Sequence, residues 1–136
     1  MLALICACPV FACINTFKST IQHYKEQGDS AAMAGAIAEL QKAYDAKPTL
    51  ENSNDLAVGL LLTGKLDDAI RLLEETEKKF PGSARVAANL GTALELKGND
   101  EEALKWIREG VTRDASEHQG SEWLHARILS SKLALK

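Results

Sequence analysis

The chain has 136 residues and a formal charge of −3, with 16 basic and 19 acidic side chains interleaved along it. No basic run offers a track for phosphates, which argues against a nucleic-acid binder. Aromatic residues are 5% of the chain and proline occurs three times. The core must therefore come from Ala, Leu, Ile and Val, in helices that are rarely interrupted, and an all-α fold in one domain is expected.

Residues 1–17 carry no charged side chain, and Leu2 to Ile14 is almost wholly apolar around Pro9. The run is shorter than the ~20 apolar residues of a bilayer-spanning helix. It has the length of the hydrophobic centre of a secretory signal. Val10-Phe11-Ala12-Cys13 resembles the lipobox of bacterial lipoproteins, in which cleavage precedes a cysteine that is then acylated. Residues 1–12 are thus expected to be a signal peptide and Cys13 a lipid-attachment point, giving an exported, periplasmic or membrane-anchored protein. The Lys or Arg that usually opens a signal is missing from Met1-Leu2-Ala3-Leu4. The alternative is a buried first helix in a cytoplasmic protein. Cys6, Cys8 and Cys13 lack the paired spacing of zinc knuckles, and no metal or other cofactor is assigned to them.

A helix from about Ile14 to Gln27 comes next, then a turn at Gly28, with Asp29-Ser30-Ala31-Ala32 capping a second helix. Beyond Pro48 the chain repeats itself. Gly64-Lys65-Leu66-Asp67-Asp68-Ala69 returns as Gly98-Asn99-Asp100-Glu101-Glu102-Ala103, a displacement of 34 residues. Leu66, Ala69, Ile70, Leu73 and Phe80 share one helical face, as do Ala103, Leu104, Ile107 and Val111. The acids after each glycine sit in a first turn and Lys78 and Lys79 in a last turn, where each charge complements the helix dipole. Asp67–Arg71, Glu74–Lys78, Glu75–Lys79 and Glu101–Lys105 have the i,i+4 order that stabilises an exposed face. These acids therefore read as structural. Ser30, Ser83 and Ser121 read as helix caps, not nucleophiles.

That period resembles the tetratricopeptide repeat, a helix A–turn–helix B unit. Leu56, Ala57, Leu60, Gly64, Ala69, Leu73 and Pro81 match one unit. Leu90, Gly91, Leu94, Gly98, Ala103 and Ile107 match the next, where Ala115 replaces the closing proline. Tyr24, Gly28, Ala36, Leu40, Ala43 and Pro48 trace a degenerate first unit. The resemblance implies a right-handed α–α superhelix of stacked helix pairs. Its units span 14–49, 50–83 and 84–117, and 118–136 form a C-terminal capping helix in which Trp123, Leu124, Ile128 and Leu129 cover the stack. Gly120-Ser121-Glu122-Trp123-Leu124-His125 further resembles a block in short exported bacterial proteins of this family, from which no activity carries over. Apolar residues persist to Leu135, leaving open whether the natural chain extends beyond Lys136.

The resemblance also implies a concave groove lined from helix A by Asn54, Val58, Leu61, Arg85, Ala88, Thr92 and Glu95, with Glu122 and Ala126 from the last helix. Asn54 and Arg85 suit the backbone or carboxylate of an extended peptide. Val58 stands where a clamp for an acidic C-terminal tail would need a polar group. The expected role is a non-enzymatic protein–protein interaction scaffold in the bacterial envelope, whose partner is a protein or peptide. Self-association into a homo-oligomer is the structural rival. His118, Glu122 and His125 share a helix face and define the enzymatic rival, a metal-dependent activity, although His-Glu-x-x-His is absent.

Overall fold

The computed structural model describes Ile14, Thr16, Phe17 and residues 28–135, apart from the side chains of His118 and Gln119. The expected signal peptide, with Cys6 and Cys8, and the expected lipid-attachment residue Cys13 lie outside the described residues, as does most of the expected first helix. Ile14, Thr16 and Phe17, where that helix was to begin, are not helical. Among the described residues there is no strand. The helices are α1 (Ser30–Ala46), α2 (Leu50–Leu62), α3 (Leu66–Lys79), α4 (Ala84–Leu96), α5 (Asp100–Arg113), the single turn α6 (Glu117–Gly120) and α7 (Glu122–Ala134). None is long and apolar enough to cross a membrane.

Local chemistry sets the boundaries. The Asp29 carboxylate accepts the Ala32 amide at 2.9 Å and starts α1. Thr49 Oγ1 accepts the Asn52 amide at 3.2 Å, and Ser83 Oγ accepts that of Val86 at 3.3 Å, starting α2 and α4. Of the three serines expected to cap, only Ser83 does so. Ser30 is the first helical residue behind Asp29, and Ser121 makes no capping bond. Helices α3 and α5 have no side-chain cap; acids in their first turns face the unpaired amides instead. Gly64 and Gly98, one repeat apart, join each helix pair with φ of 79° and 90°, a conformation that side chains resist.

The pairs stack in chain order, α2 on α3, α3 on α4, α4 on α5, and α5 on α7. The result is a superhelix of helix pairs with a core built around Leu61, Leu73, Leu90, Ile107 and Leu129, each almost wholly buried. The tightest approach is between α4 and α5. A Cβ built on Gly91 would lie 2.5 Å from Ile107 Cγ1 and 3.0 Å from both Ala103 O and Ile107 N.

Charge pairs also link neighbouring units. Asp67 of α3 meets Lys97 at the end of α4. Asp100 of α5 meets Lys132 near the end of α7 at 2.8 Å. The expected i,i+4 partners are replaced: Arg71 pairs with Asp68, and Lys105 with Glu102 at 3.2 Å. Arg113 grips Glu77 with two nitrogens, at 2.7 and 2.9 Å, and donates to Ser83 O at 3.1 Å. The hydrogen bond to Glu77 first, and then Glu109, hold its guanidinium charged above the ordinary arginine value.

Helix α7 is rotated from its expected setting. Glu122, His125, Ala126 and Leu129 face inward, while Trp123, Leu124 and Ile128 are 55%, 44% and 44% exposed. Of the four residues expected to cover the stack, only Leu129 does. The cause is polar: His125 Nε2 lies 2.6 Å from Glu95 Oε2 of α4 and its Nδ1 3.4 Å from Glu122 Oε1. Satisfying that buried group turns the apolar residues beside it outward.

Candidate functional site

Two polar side chains on adjacent A helices hold a short non-helical stretch of the chain's own N-terminal region. Asp55 of α2 accepts the Phe17 amide at 2.7 Å. Arg85 of α4 donates through Nη1 to the Thr16 carbonyl at 3.3 Å. The Arg85 guanidinium also lies over the Phe17 ring, 4.2 Å from its centre, in cation–π contact. Ile14 is buried in the same hydrophobic core as Leu56 and Leu90. One backbone acceptor, one backbone donor and two side chains are thus recognised within four residues.

Both reading groups are fixed from behind. Asn54 Nδ2 donates to Asp55 Oδ1 at 3.3 Å, and Asn89 Nδ2 donates to Asn54 Oδ1 at 2.8 Å. This amide chain crosses from α4 to α2 with all three side chains buried. Glu117 of α6 accepts from Arg85 Nε and Nη2 at 3.4 and 3.2 Å, leaving Nη1 aimed at Thr16. Arg85 and Glu117 side chains are 22% and 16% exposed, so the pair is largely shielded from water.

The residues expected to line an open groove have a different setting. Asn54, Val58, Leu61, Ala88, Thr92 and Glu122 are each at most 2% exposed, and Ala126 is buried as well. They are enclosed and do not present a free surface. Ala88 faces α5, where a Cβ on Gly110 would be 3.6 Å from its own Cβ. Glu95 and Glu122 flank His125. Among them, Arg85 hydrogen-bonds the docked stretch. Sequence reasoning missed Asp55, Asn89 and Glu117. The available signal was the polar run Glu51-Asn52-Ser53-Asn54-Asp55, which a helix then continues as Leu-Ala-Val-Gly-Leu-Leu-Leu.

His125 of the enzymatic rival is held between two carboxylates, and the side chain of His118 lies outside the described residues. Among the described residues no group of three or more His, Cys, Asp or Glu side chains could hold a metal ion.

The family model described as tetratricopeptide repeat matches residues 54–118, from the buried amide of α2 to the end of the second clear helix pair and α6. No curated protein matches the chain.

Proposed function

Residues 54–118 match the tetratricopeptide-repeat family, and on that premise we propose that the chain is a non-enzymatic interaction scaffold that grips an extended protein segment across α2 and α4. Repeats of this kind mediate protein–protein contacts. The carrying observation is the seating of Thr16 and Phe17 on Asp55 and Arg85. Because the grip is on backbone groups, it serves any extended segment; the guanidinium face adds a preference for an aromatic side chain next to the carbonyl it holds.

A labelled peptide of residues 14–20, offered to full chain carrying Phe17→Ala, tests this reading. The substitution weakens the resident occupant and leaves the site intact. Saturable binding, reduced at least about tenfold (~1.4 kcal/mol) by Asp55→Ala or Arg85→Ala, is the expected result. Equal binding to all three proteins would remove the site.

The charge-free N-terminal run supports an exported location, with a lipid on Cys13 as tether. Labelled palmitate should enter the native protein and be lost in Cys13→Ser; absence from both would end the lipoprotein reading.

A further inference from the structure

The Thr16 carbonyl held by Arg85 and the Phe17 N–H held by Asp55 belong to the same peptide unit. A trans peptide points its carbonyl and its N–H in opposite directions, so α4 and α2 clamp one amide from two sides. The two clear repeats supply this clamp once. Displaced by the 34-residue repeat, Arg85 coincides with Glu51 and Asp55 with Asn89. Glu51 has the opposite charge, and Asn89 donates to Asn54 behind the site. Recognition therefore centres on a single peptide unit and is confined to a short motif, not to a series of backbone groups along the stack.

The two side chains that accompany this peptide unit sit in different surroundings. Ile14 is 3% exposed and belongs to the hydrophobic core, so its position is enclosed and reads both size and polarity. Phe17 is 38% exposed, with its ring against the Arg85 guanidinium and the remainder open to solvent. That position has room for a larger ring, whereas an aliphatic side chain there loses the cation–π contact. The N–H is a separate demand. Asp55 is 1% exposed, and a buried carboxylate that loses a donor has no bulk water to replace it. Proline carries no N–H and cannot meet the demand, however well its ring packs.

Resting on the reading of the α2–α4 site as a grip for a visiting segment, we propose that the site selects its partners by a short motif: a large aliphatic residue three positions before an aromatic residue whose backbone N–H is free to donate. The partner is a protein segment with Ile or Leu at the first of these positions and Phe, Tyr or Trp at the second. Ile14 and Phe17 are the resident example. The enclosed aliphatic side chain supplies most of the attraction, the guanidinium face selects the ring, and Asp55 refuses proline or any other N-alkylated residue at the aromatic position.

Fluorescein-labelled peptides built on the sequence of residues 14–20, titrated into full chain carrying Phe17→Ala, test the motif. Methylating only the Phe17 nitrogen of the peptide keeps the ring and removes the N–H. That change, and Ile14→Ala in the peptide, should each weaken binding at least about tenfold. Phe17→Leu in the peptide should weaken it about fivefold, and Phe17→Trp should stay within about twofold of the parent peptide. Against the same chain also carrying Asp55→Ala, N-methylation should cost less than about twofold, because the group that reads the N–H is gone. The discriminating changes lie in the peptide, so the fold of the chain is the same in each comparison. A parent peptide that binds, with the N-methyl or the Ile14→Ala peptide binding equally well, would overturn the motif and leave the grip standing. No binding of the parent peptide would overturn both.

Discussion

Gly91→Ala pits two opposed effects against each other at one atom. Alanine in place of glycine inside a helix gains about 1 kcal/mol of intrinsic stability. At Gly91 the new Cβ meets Ile107 Cγ1 at 2.5 Å, and Ala103 O and Ile107 N at 3.0 Å. Two of these three atoms are backbone, and Ile107 is wholly buried, so no flexible group can swing aside. Overpacking of this sort costs about 1–3 kcal/mol, and the backbone contacts place it at the upper end. The expected net effect is a loss of about 1–2 kcal/mol, the difference of those two terms. Gly35→Ala in α1 isolates the favourable term, because nothing lies within 4 Å of its Cβ. Urea denaturation of both variants gives the comparison: Gly35→Ala should move the midpoint up and Gly91→Ala down, at constant m value. Adding Ile107→Ala to Gly91→Ala should cost less than the two single losses combined, since one removes the atom the other strikes. If Gly91→Ala stabilised the chain as Gly35→Ala does, α4 and α5 would not be in backbone contact.

Arg113→Lys replaces a two-pronged grip on Glu77 with a single ammonium and should lower stability by about 1.5 kcal/mol in the same assay. Gly98→Ala forces a side chain to adopt φ of 90° and should cost about 1–2 kcal/mol without changing the native circular dichroism spectrum. His125→Ala leaves Glu122 and Glu95 facing each other in a largely dry space; a loss of about 3 kcal/mol is expected, with faster amide exchange concentrated in residues 122–134. Hydrogen bonds from Ser116 hold the Asp114 carboxyl below its ordinary value, so the turn is fully supported above that ordinary value and loses support as pH falls through the lowered one. The Ser116 amide resonance should follow that titration in NMR, and Asp114→Asn should abolish it.

The helix pairs were legible because their signals are local and periodic. Gly64 and Gly98 mark the turns, Asp29 and Ser83 mark helix starts, and Ala69 and Ala103 recur with the repeat. The rotation of α7 was not legible, because apolar spacing alone puts Trp123, Leu124 and Ile128 inside. The deciding contact, His125 with Glu95, joins residues on two helices that no periodicity connects. The burial of the expected groove residues was not legible for a related reason. The repeat pattern names the positions on the concave side of each helix A, but it says nothing of what lies against them. Val58, Leu61 and Thr92 are buried by packing that only the folded chain reveals. Arg85 was recognisable as a basic residue at such a position, whereas Asp55, which accepts the Phe17 amide directly, falls one residue from the expected Asn54 and is braced by it.

On the proposed function, the seating of Thr16 and Phe17 gives the α2–α4 site a resident competitor. An attached occupant acts at an effective concentration set by its tether, of millimolar order for short flexible links. It needs no great intrinsic affinity to stay in place. A visiting segment must displace it, and its apparent affinity falls in proportion to the fraction of time the site is free. If the resident holds the site nine-tenths of the time, a partner with a 1 µM intrinsic Kd would bind as though it were about 10 µM. Weak, abundant extended chains are then rejected by arithmetic alone, without any added contact. The site measures how much better a visitor fits than Thr16-Phe17 does, and changing those two residues would reset the threshold without touching α2 or α4.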